Sequence, residues 1–237
     1  MNKRICAISL LLFITGFFSG GSLLTRMVEK NIASSIKQQT RVAEEIKIKL
    51  APIRLRDLLK GRIRDFSFSA ARIGFPEGPV FEDFNLQSQE ISVDPSTLWL
   101  KGKVEIQELV QTFLSLKIPE SELTLMMRRD LPDLDPTVFL EEGEVQLEGS
   151  LDLLGQGRLP FKATAIVEKA SDKSLRLSPS GLKVGGIPLF SGILEKYNQR
   201  LAWEFPLELP WPVRLANFKI ESGFIRVEWR EEQEREG

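Results

Sequence analysis

The hydrophobic and polar residues of this chain follow three successive patterns. Residues 5–24 form a run without a charged side chain, and residues 22–46 place apolar side chains at helical spacing. From residue 46 onward, apolar and polar residues mostly alternate, which is typical of strands with one buried face. The predicted organisation is a membrane segment (1–24), a domain (25–230) made of an amphipathic helix (25–45) and a sheet with helices (46–230), and a charged tail (231–237).

The N-terminal run has the length of a membrane-spanning helix, because about 20 apolar residues cross the hydrocarbon core of a bilayer. Lys3 and Arg4 precede the run, which favours an orientation that leaves the rest of the chain outside the cytoplasm. The alternative is a signal peptide cleaved within residues 1–21, since Ser19-Gly20-Gly21 offers small residues. The length of the run favours an uncleaved, single-pass anchor in the cell membrane, and cleavage would give a secreted protein.

The amphipathic helix has one apolar side. Leu24, Val28 and Ile32 lie on that side, whereas Arg26 and Lys30 lie on the other. Such a stripe indicates packing against the following domain or contact with the bilayer surface. Both interpretations are open at this point.

The alternating part of the chain predicts antiparallel hairpins interspersed with short helices. A strand with one apolar face needs a covering layer, so we expect an α+β fold in which an elongated, rolled antiparallel sheet wraps around helices. Glycine and proline mark the predicted turns. Strands are expected over 46–50, 66–70, 84–93, 104–118, 145–153 (turning at Gly149), 161–167, 175–184 (turning at Pro179-Ser180-Gly181) and 218–229 (turning at Ser222-Gly223). Residues 74–79 are expected to form a turn and residues 205–212 an extended edge segment. Helices are expected over 55–60, 95–100 (with Asp94 as the N-cap before Pro95), 119–129 and 187–203.

Composition and charge remove several classes of function. The 32 basic and 33 acidic residues give a net charge of −1, which does not favour a nucleic-acid partner. The chain has no histidine and a single cysteine, Cys6, so histidine-based catalysis, an ordinary zinc site and an intrachain disulfide are excluded. We expect neither an enzyme nor a cofactor or metal. Carboxylate glycosidase chemistry is the remaining catalytic alternative, with Glu141-Glu142 and Asp133/Asp135 as acid clusters.

Several segments resemble a known family. The segment 55–63, LRDLLKGRI, is similar to a motif near the start of the LmeA-like phospholipid-binding proteins of bacterial cell envelopes. The order of later segments fits as well: 85–95, 103–106, 207–212 and the final hairpin with Gly223. The resemblance implies a tubular lipid-binding-like fold with an apolar cavity for a phospholipid and no catalytic residues.

Candidate site residues follow from alternation and from charge. The apolar side chains expected to line a cavity are Phe66, Phe68, Phe84, Leu86, Val104, Ile106, Val145, Leu147, Ile220 and Val227, although the same pattern fits an ordinary closed core. The segment 54–64 contains five basic residues and one acid, a composition that attracts anionic headgroups and equally fits a solvated rim. These headgroup candidates are Arg54, Arg56, Lys60, Arg62 and Arg64.

These observations favour a membrane-anchored, extracytoplasmic phospholipid-binding protein that holds or moves acyl chains and helps to maintain the cell envelope. The alternative is a non-catalytic structural or interaction module of the envelope, which predicts a closed core with no ligand-sized cavity.

Overall fold

The fold consists mainly of antiparallel strands with few helices. A computed structural model describes residues 24–76, 78–97, 106–152, 157–188, 202–207, 209, 211 and 213–231. Within these ranges, no helix has the length and apolar character needed to span a bilayer. The predicted membrane segment, residues 5–24, lies outside them except for Leu24.

The helices are few, and the strands supply most of the framework. Helix α1 covers residues 24–39, α2 covers Leu55–Leu59, α3 covers Glu120–Asp130, and a 3₁₀ turn covers Pro132–Leu134. The strands are β1 (Val42–Glu44), β2 (Lys47–Lys49), β3 (Arg62–Gly74), β4 (Val80–Val93), β5 (Ile106–Pro119), β6 (Thr137–Glu141), β7 (Glu144–Asp152), β8 (Arg158–Ser171), β9 (Ser174–Val184), β10 (Ile187–Pro188), β11 (Trp203–Pro206), β12 (Arg214–Glu221) and β13 (Phe224–Arg230).

The strands form two antiparallel sheets, whereas the sequence predicted one. Sheet 1 has seven strands in the order β1-β3-β4-β5-β13-β12, with β2 also paired to β3. Sheet 2 has six strands in the order β10-β9-β8-β7-β6, with β11 also paired to β9. The long β3–β4 and β4–β5 pairings are local hairpins, and β13 then returns to pair with β5.

The two sheets meet at the edge strand β12 and share one hydrophobic core. Main-chain hydrogen bonds join Gly143 N to Ile220 O and Leu215 N to Asp172 O, so turns at one end of sheet 2 lie along β12. Helix α3 covers the edge of β6, where Leu140 N donates to Glu120. Buried side chains from both sheets belong to a single contact cluster. The sheets are therefore parts of one packed unit.

Helix α1 packs against the domain, which decides between the two interpretations of its apolar stripe. Val28 and Ile32 are almost fully buried and join the common core, so the stripe covers protein. The helix ends at residue 39, earlier than predicted, because Arg41 N donates to Gly74 O and Val42 then pairs with Gly74. The prediction of helix to residue 45 or 46 was wrong, since pairing with β3 draws residues 42–44 into the sheet.

Two glycine-containing turns predicted from the sequence lie inside strands. Gly149 lies within β7, where a Cβ atom would stand 2.5 Å from Leu134 O and 2.7 Å from the Phe161 ring, so glycine here permits close approach. Pro179-Ser180-Gly181 lies within β9. Thr164 pairs with Gly181 and Ala165 with Pro179, which leaves Ser180 as the extra residue of a β-bulge.

The predicted helix over residues 187–203 is not found at either end. Residues 187–188 form β10, and Trp203 begins β11, which pairs with β9. Residues 189–201 lie outside the described residues. The extended edge expected near residues 205–212 is present in its first part as β11.

Substitution of Gly61 tests the turn that connects α2 to β3. Gly61 has a φ of +71°, and a Cβ atom would lie 2.2 Å from Val93 O. We expect Gly61→Ala to lower the unfolding free energy by about 3 kcal/mol or more, because backbone strain adds to a main-chain clash. Denaturant titration of tryptophan fluorescence measures the effect.

Gly143→Ala is the matched control for Gly61. Its φ is +79°, yet no heavy atom lies within 4 Å of the position that the alanine methyl group would take. Gly143→Ala should therefore lower the unfolding free energy only by the strain of the left-handed backbone, about 1 kcal/mol. Equal losses in the two variants would contradict the close approach at Gly61.

Asp94 caps the helical turn at residues 95–97, as its position before Pro95 predicted. Its carboxylate accepts hydrogen bonds from Ser96 N (2.9 Å) and from Thr97 Oγ1 (2.6 Å). The Thr97 and Ser96 hydrogen bonds hold the pKa of Asp94 below its ordinary value.

The lowered pKa of Asp94 predicts a direction for acid sensitivity. The cap stabilises the fold fully above the pKa of an unfolded aspartate, near 4, and loses this effect as the pH falls through the lower folded-state pKa. The difference in unfolding free energy between wild type and Asp94→Ala should therefore stay constant from pH 7 to 5 and shrink below about pH 4. Denaturant titrations at stepped pH measure it, and a difference that grows on acidification would contradict the cap.

Candidate functional site

The ten apolar residues predicted to line a cavity occupy inward positions wherever they are described. Phe66, Phe68, Phe84, Leu86, Val145, Leu147 and Val227 are buried in the core, Ile106 and Ile220 are partly buried against it, and Val104 lies outside the described residues. The structure thus brings the candidates of both sheets to one interior. Their assignment to a lipid cavity stays a prediction.

Aromatic rings cover the inner face of the β3–β4 hairpin. The ring centroids of Phe68 and Phe84 are 5.2 Å apart, and Trp211 lies 5.6 Å from Phe84 and 6.3 Å from Phe68. Phe75 packs edge to face with Trp211, at a centroid distance of 5.8 Å. Sequence reasoning missed Trp211, although a tryptophan between two prolines in an extended segment was the available signal.

Three of the five predicted headgroup residues line one cleft, which we call the basic cleft. Arg54, Arg62 and Arg64 surround a space of about 170 Å³ together with Asp57 and Asp65. Ile53 and Ile63 also line it, and both belong to the common core that contains Phe66. The basic cleft therefore joins exposed guanidinium groups to the apolar interior.

Local folding explains why basic residues gather at the basic cleft. Leu58 is fully buried and fixes α2 against the core, and Gly61 then turns the chain sharply into β3. The carbonyl of Gly61 accepts a hydrogen bond from Val93 N at 2.7 Å, which ties this turn to the end of β4. Arg62 and Arg64 are two residues apart in β3 and so point to the same outward face.

Three carboxylates lie near these three arginines, since Asp57 and Asp65 line the cleft and Glu90 is close to it. Glu90 lies opposite on β4, with Oε1 at 3.6 Å from Arg62 Nε and Oε2 at 3.8 Å from Arg64 Nε. Both distances are longer than those of a hydrogen bond, and both arginine side chains are more than half exposed. In the described part of the chain, Arg54 has no ion-pair partner. The three arginines thus keep exposed N–H donors at the cleft, beside an equal number of carboxylates.

The basic cleft lies at the end of the domain where the N-terminal segment enters. Ile53 N donates to Thr25 Oγ1 at 3.0 Å, so the first turn of α1 lies beside the cleft wall. The other end of α1 leads to Arg41, which is hydrogen-bonded to Gly74 at the far end of β3. Helix α1 therefore runs along the sheet from the basic cleft to the opposite end.

A second and larger cleft lies at that opposite end. It measures about 530 Å³, and its walls include Val42, Val80, Leu125 and Met126. Arg41, Glu122 and Arg129 also line it, with Arg41 Nη2 at 4.0 Å from Glu122 Oε2. Sequence reasoning assigned only a turn to residues 74–79 and did not anticipate this site.

The acid clusters weighed for glycosidase chemistry lie outside the two clefts described here. Asp133, Asp135, Glu141 and Glu142 line neither of the two clefts described above. Asp135 forms an ion pair with Arg128 at 3.3 Å, which accounts for its position. Within the described residues, no group of three or more acidic or cysteine side chains is arranged to hold a metal ion.

Comparison with known proteins gives one finding. Neither the curated proteins nor the solved structures contain a significant match to this chain. The family model for LmeA-like phospholipid-binding proteins matches residues 20–230, which include both clefts and both sheets. The chain therefore belongs to the LmeA-like phospholipid-binding family.

Proposed function

We propose that the protein is a non-catalytic, membrane-anchored phospholipid-binding protein on the extracytoplasmic side of the cell membrane. Membership of the family over residues 20–230 carries the proposal. In this account residues 5–24 hold the domain at the bilayer, and the domain holds or moves acyl chains to maintain the cell envelope. The uncharged run and the basic residues before it support the anchor.

The free-energy cost of exposing acyl chains to water explains why such a domain is needed. A phospholipid buries roughly 30 methylene groups, and exposing them to water costs on the order of 24 kcal/mol at about 0.8 kcal/mol each. An apolar protein interior removes most of that cost. A domain tethered beside the bilayer also meets its ligand at high effective concentration, so modest affinity suffices.

The basic cleft is the proposed headgroup site. The guanidinium groups of Arg54, Arg62 and Arg64 offer several N–H donors to phosphate oxygens, and arginine binds phosphate through paired hydrogen bonds. Ile53 and Ile63 form the apolar wall that leads inward. A lipid bound here would place its phosphate at the surface and its chains towards the core.

The inward faces of the two sheets are the proposed acyl-chain site. In this proposal the sheets form the elongated, rolled enclosure typical of tubular lipid-binding folds, and the ten apolar candidates line it. The acyl chains replace contacts that the protein's side chains make with one another, such as those of Phe68, Phe84 and Trp211.

The same aromatic packing favours a second candidate function. A closed interior suits a structural or interaction module, which binds another envelope component through its surface and holds no lipid inside. Phe75, Trp211 and Phe84 pack in this manner in the structure. The two functions differ in whether acyl chains reach the core.

Photocrosslinking distinguishes these functions. The full chain is reconstituted in vesicles that contain a phospholipid with a diazirine at the end of one acyl chain, irradiated and mapped by mass spectrometry. We expect adducts on β3, β4 and the peptide that contains Trp211, because the chain end reaches the core. Arg62→Gln combined with Arg64→Gln should reduce these adducts and leave those in residues 1–23 unchanged. Adducts confined to residues 1–23 would favour the interaction module.

Substitution of Glu90 tests the headgroup site by an expected gain in affinity, whereas substitution of the arginines is expected to cause a loss. Glu90→Gln removes the carboxylate that balances Arg62 and Arg64, so it should tighten binding of a soluble short-chain phosphatidylglycerol by up to about fivefold. The phosphatidylcholine of equal chain length is the control ligand and should respond less. Isothermal titration of the full chain in detergent measures both affinities. Unchanged or weaker binding of phosphatidylglycerol would place its headgroup elsewhere.

A further inference from the structure

Two predicted headgroup residues, Arg56 and Lys60, do not line the basic cleft. They belong to α2 and the residue that follows it, and both side chains are exposed. Between them stands Leu59, whose surface is 61% exposed although Leu58 beside it is fully buried. Helix α2 thus presents a leucine flanked by two cations to the outside.

The charges on this part of α2 are not used within the domain. In the ranges that the structure describes, neither Arg56 nor Lys60 has a hydrogen-bond or ion-pair partner for its side chain. Asp57 is the one acid between residues 54 and 64, and it faces the basic cleft. An exposed apolar side chain among unpaired cations is the arrangement by which proteins bind anionic membrane surfaces.

The position of α2 places these residues at the end of the domain where the N-terminal segment enters. Ile53 N bonds to Thr25 Oγ1, so α2 lies beside the first turn of α1, which directly follows the predicted membrane segment. Met27 in that turn is also exposed, at 41%. Exposed apolar and basic side chains therefore gather at the end of the domain that the anchor would hold near the membrane.

We propose that Arg56, Leu59 and Lys60, together with Met27, form a docking face that binds the surface of an anionic bilayer. The cations bind the headgroup layer, and Leu59 enters the boundary between headgroups and acyl chains. Docking fixes the orientation of the domain, with the basic cleft at the membrane and the 530 Å³ cleft at the far end. The docking face requires no lipid inside the domain, so it can be tested independently of the proposed function.

Depth-dependent fluorescence quenching in the full chain tests the docking face. Cys6→Ser removes the native thiol, and Leu59→Cys receives an environment-sensitive fluorophore. Ile187→Cys is the matched labelling control, because Ile187 is similarly exposed (67%) but lies on sheet 2. The protein is reconstituted in phosphatidylcholine vesicles with or without phosphatidylglycerol, and lipids with a nitroxide near the headgroup are the quenchers.

We expect quenching and a blue shift at position 59 in vesicles with phosphatidylglycerol, a weaker effect at high salt, and little effect at position 187. Arg56→Gln with Lys60→Gln should lower the ratio of docked to undocked protein by about 30-fold, since each cation contributes roughly fivefold. The matched pair Lys173→Gln in the β8–β9 turn and Lys183→Gln on β9, both exposed, should leave the ratio unchanged.

Two results would overturn the docking face. One is equal quenching at positions 59 and 187 in phosphatidylglycerol vesicles. The other is quenching at position 59 that persists after Arg56→Gln and Lys60→Gln. Neither result bears on acyl-chain adducts in the core, so a failure here is distinguishable from a failure of the proposed function.

Discussion

Burial of one apolar face on each strand of sheet 1 is the constraint on which the structure depends. The long hairpin of β3 and β4 places Phe66, Phe68, Phe84 and Leu86 on one side, and these side chains need a cover against water. Helix α1 and Trp211 provide it from distant parts of the sequence. Each fully buried side chain of this size contributes about 1.5–3 kcal/mol, so the covering elements are held chiefly by apolar contact.

The same constraint explains how charge comes to lie at one end of the domain. Helix α1 runs along the sheet with its apolar stripe in the common core, and Ile53 N donates to Thr25 Oγ1 where the helix begins. That contact brings the start of α1 next to the turn at Gly61, around which five basic residues lie. Apolar packing thus decides the orientation of the domain relative to the predicted anchor, and electrostatics acts on the resulting surface.

Local signals in the sequence predicted the elements that local interactions determine. Alternation located the β3–β4 and β12–β13 hairpins, and Asp94 marked its helical turn through hydrogen bonds to residues two and three positions away. The predictions were wrong where contacts between residues far apart in the sequence determine the local structure. Gly149 accommodates the Phe161 ring, and pairing with Gly74 ends α1. Neither contact leaves a pattern within a short window of sequence.

In the candidate site, too, the sequence predicts features that depend on local pattern and misses those that depend on distant contacts. Alternation shows which side of a strand is buried, but it does not show what covers that side. The sequence around Phe68 and Trp211 therefore cannot distinguish a cavity wall from a closed core. The basic composition of segment 54–64 is visible in the sequence, but only the folded structure separates its five basic residues into three at the cleft and two on the outer surface. The larger cleft depends on Arg41, Val80 and Met126, which are far apart in the sequence.

The central claim is that the folded domain, and not only its N-terminal segment, holds a phospholipid. Solvent extraction and lipid mass spectrometry of the chain expressed from Leu24 onward, in a host rich in phospholipid, test it most directly, because this chain lacks the predicted anchor. The account predicts that phospholipid is recovered in stoichiometric amount from the monodisperse protein. A folded protein that yields no phospholipid and takes up none from vesicles would contradict it.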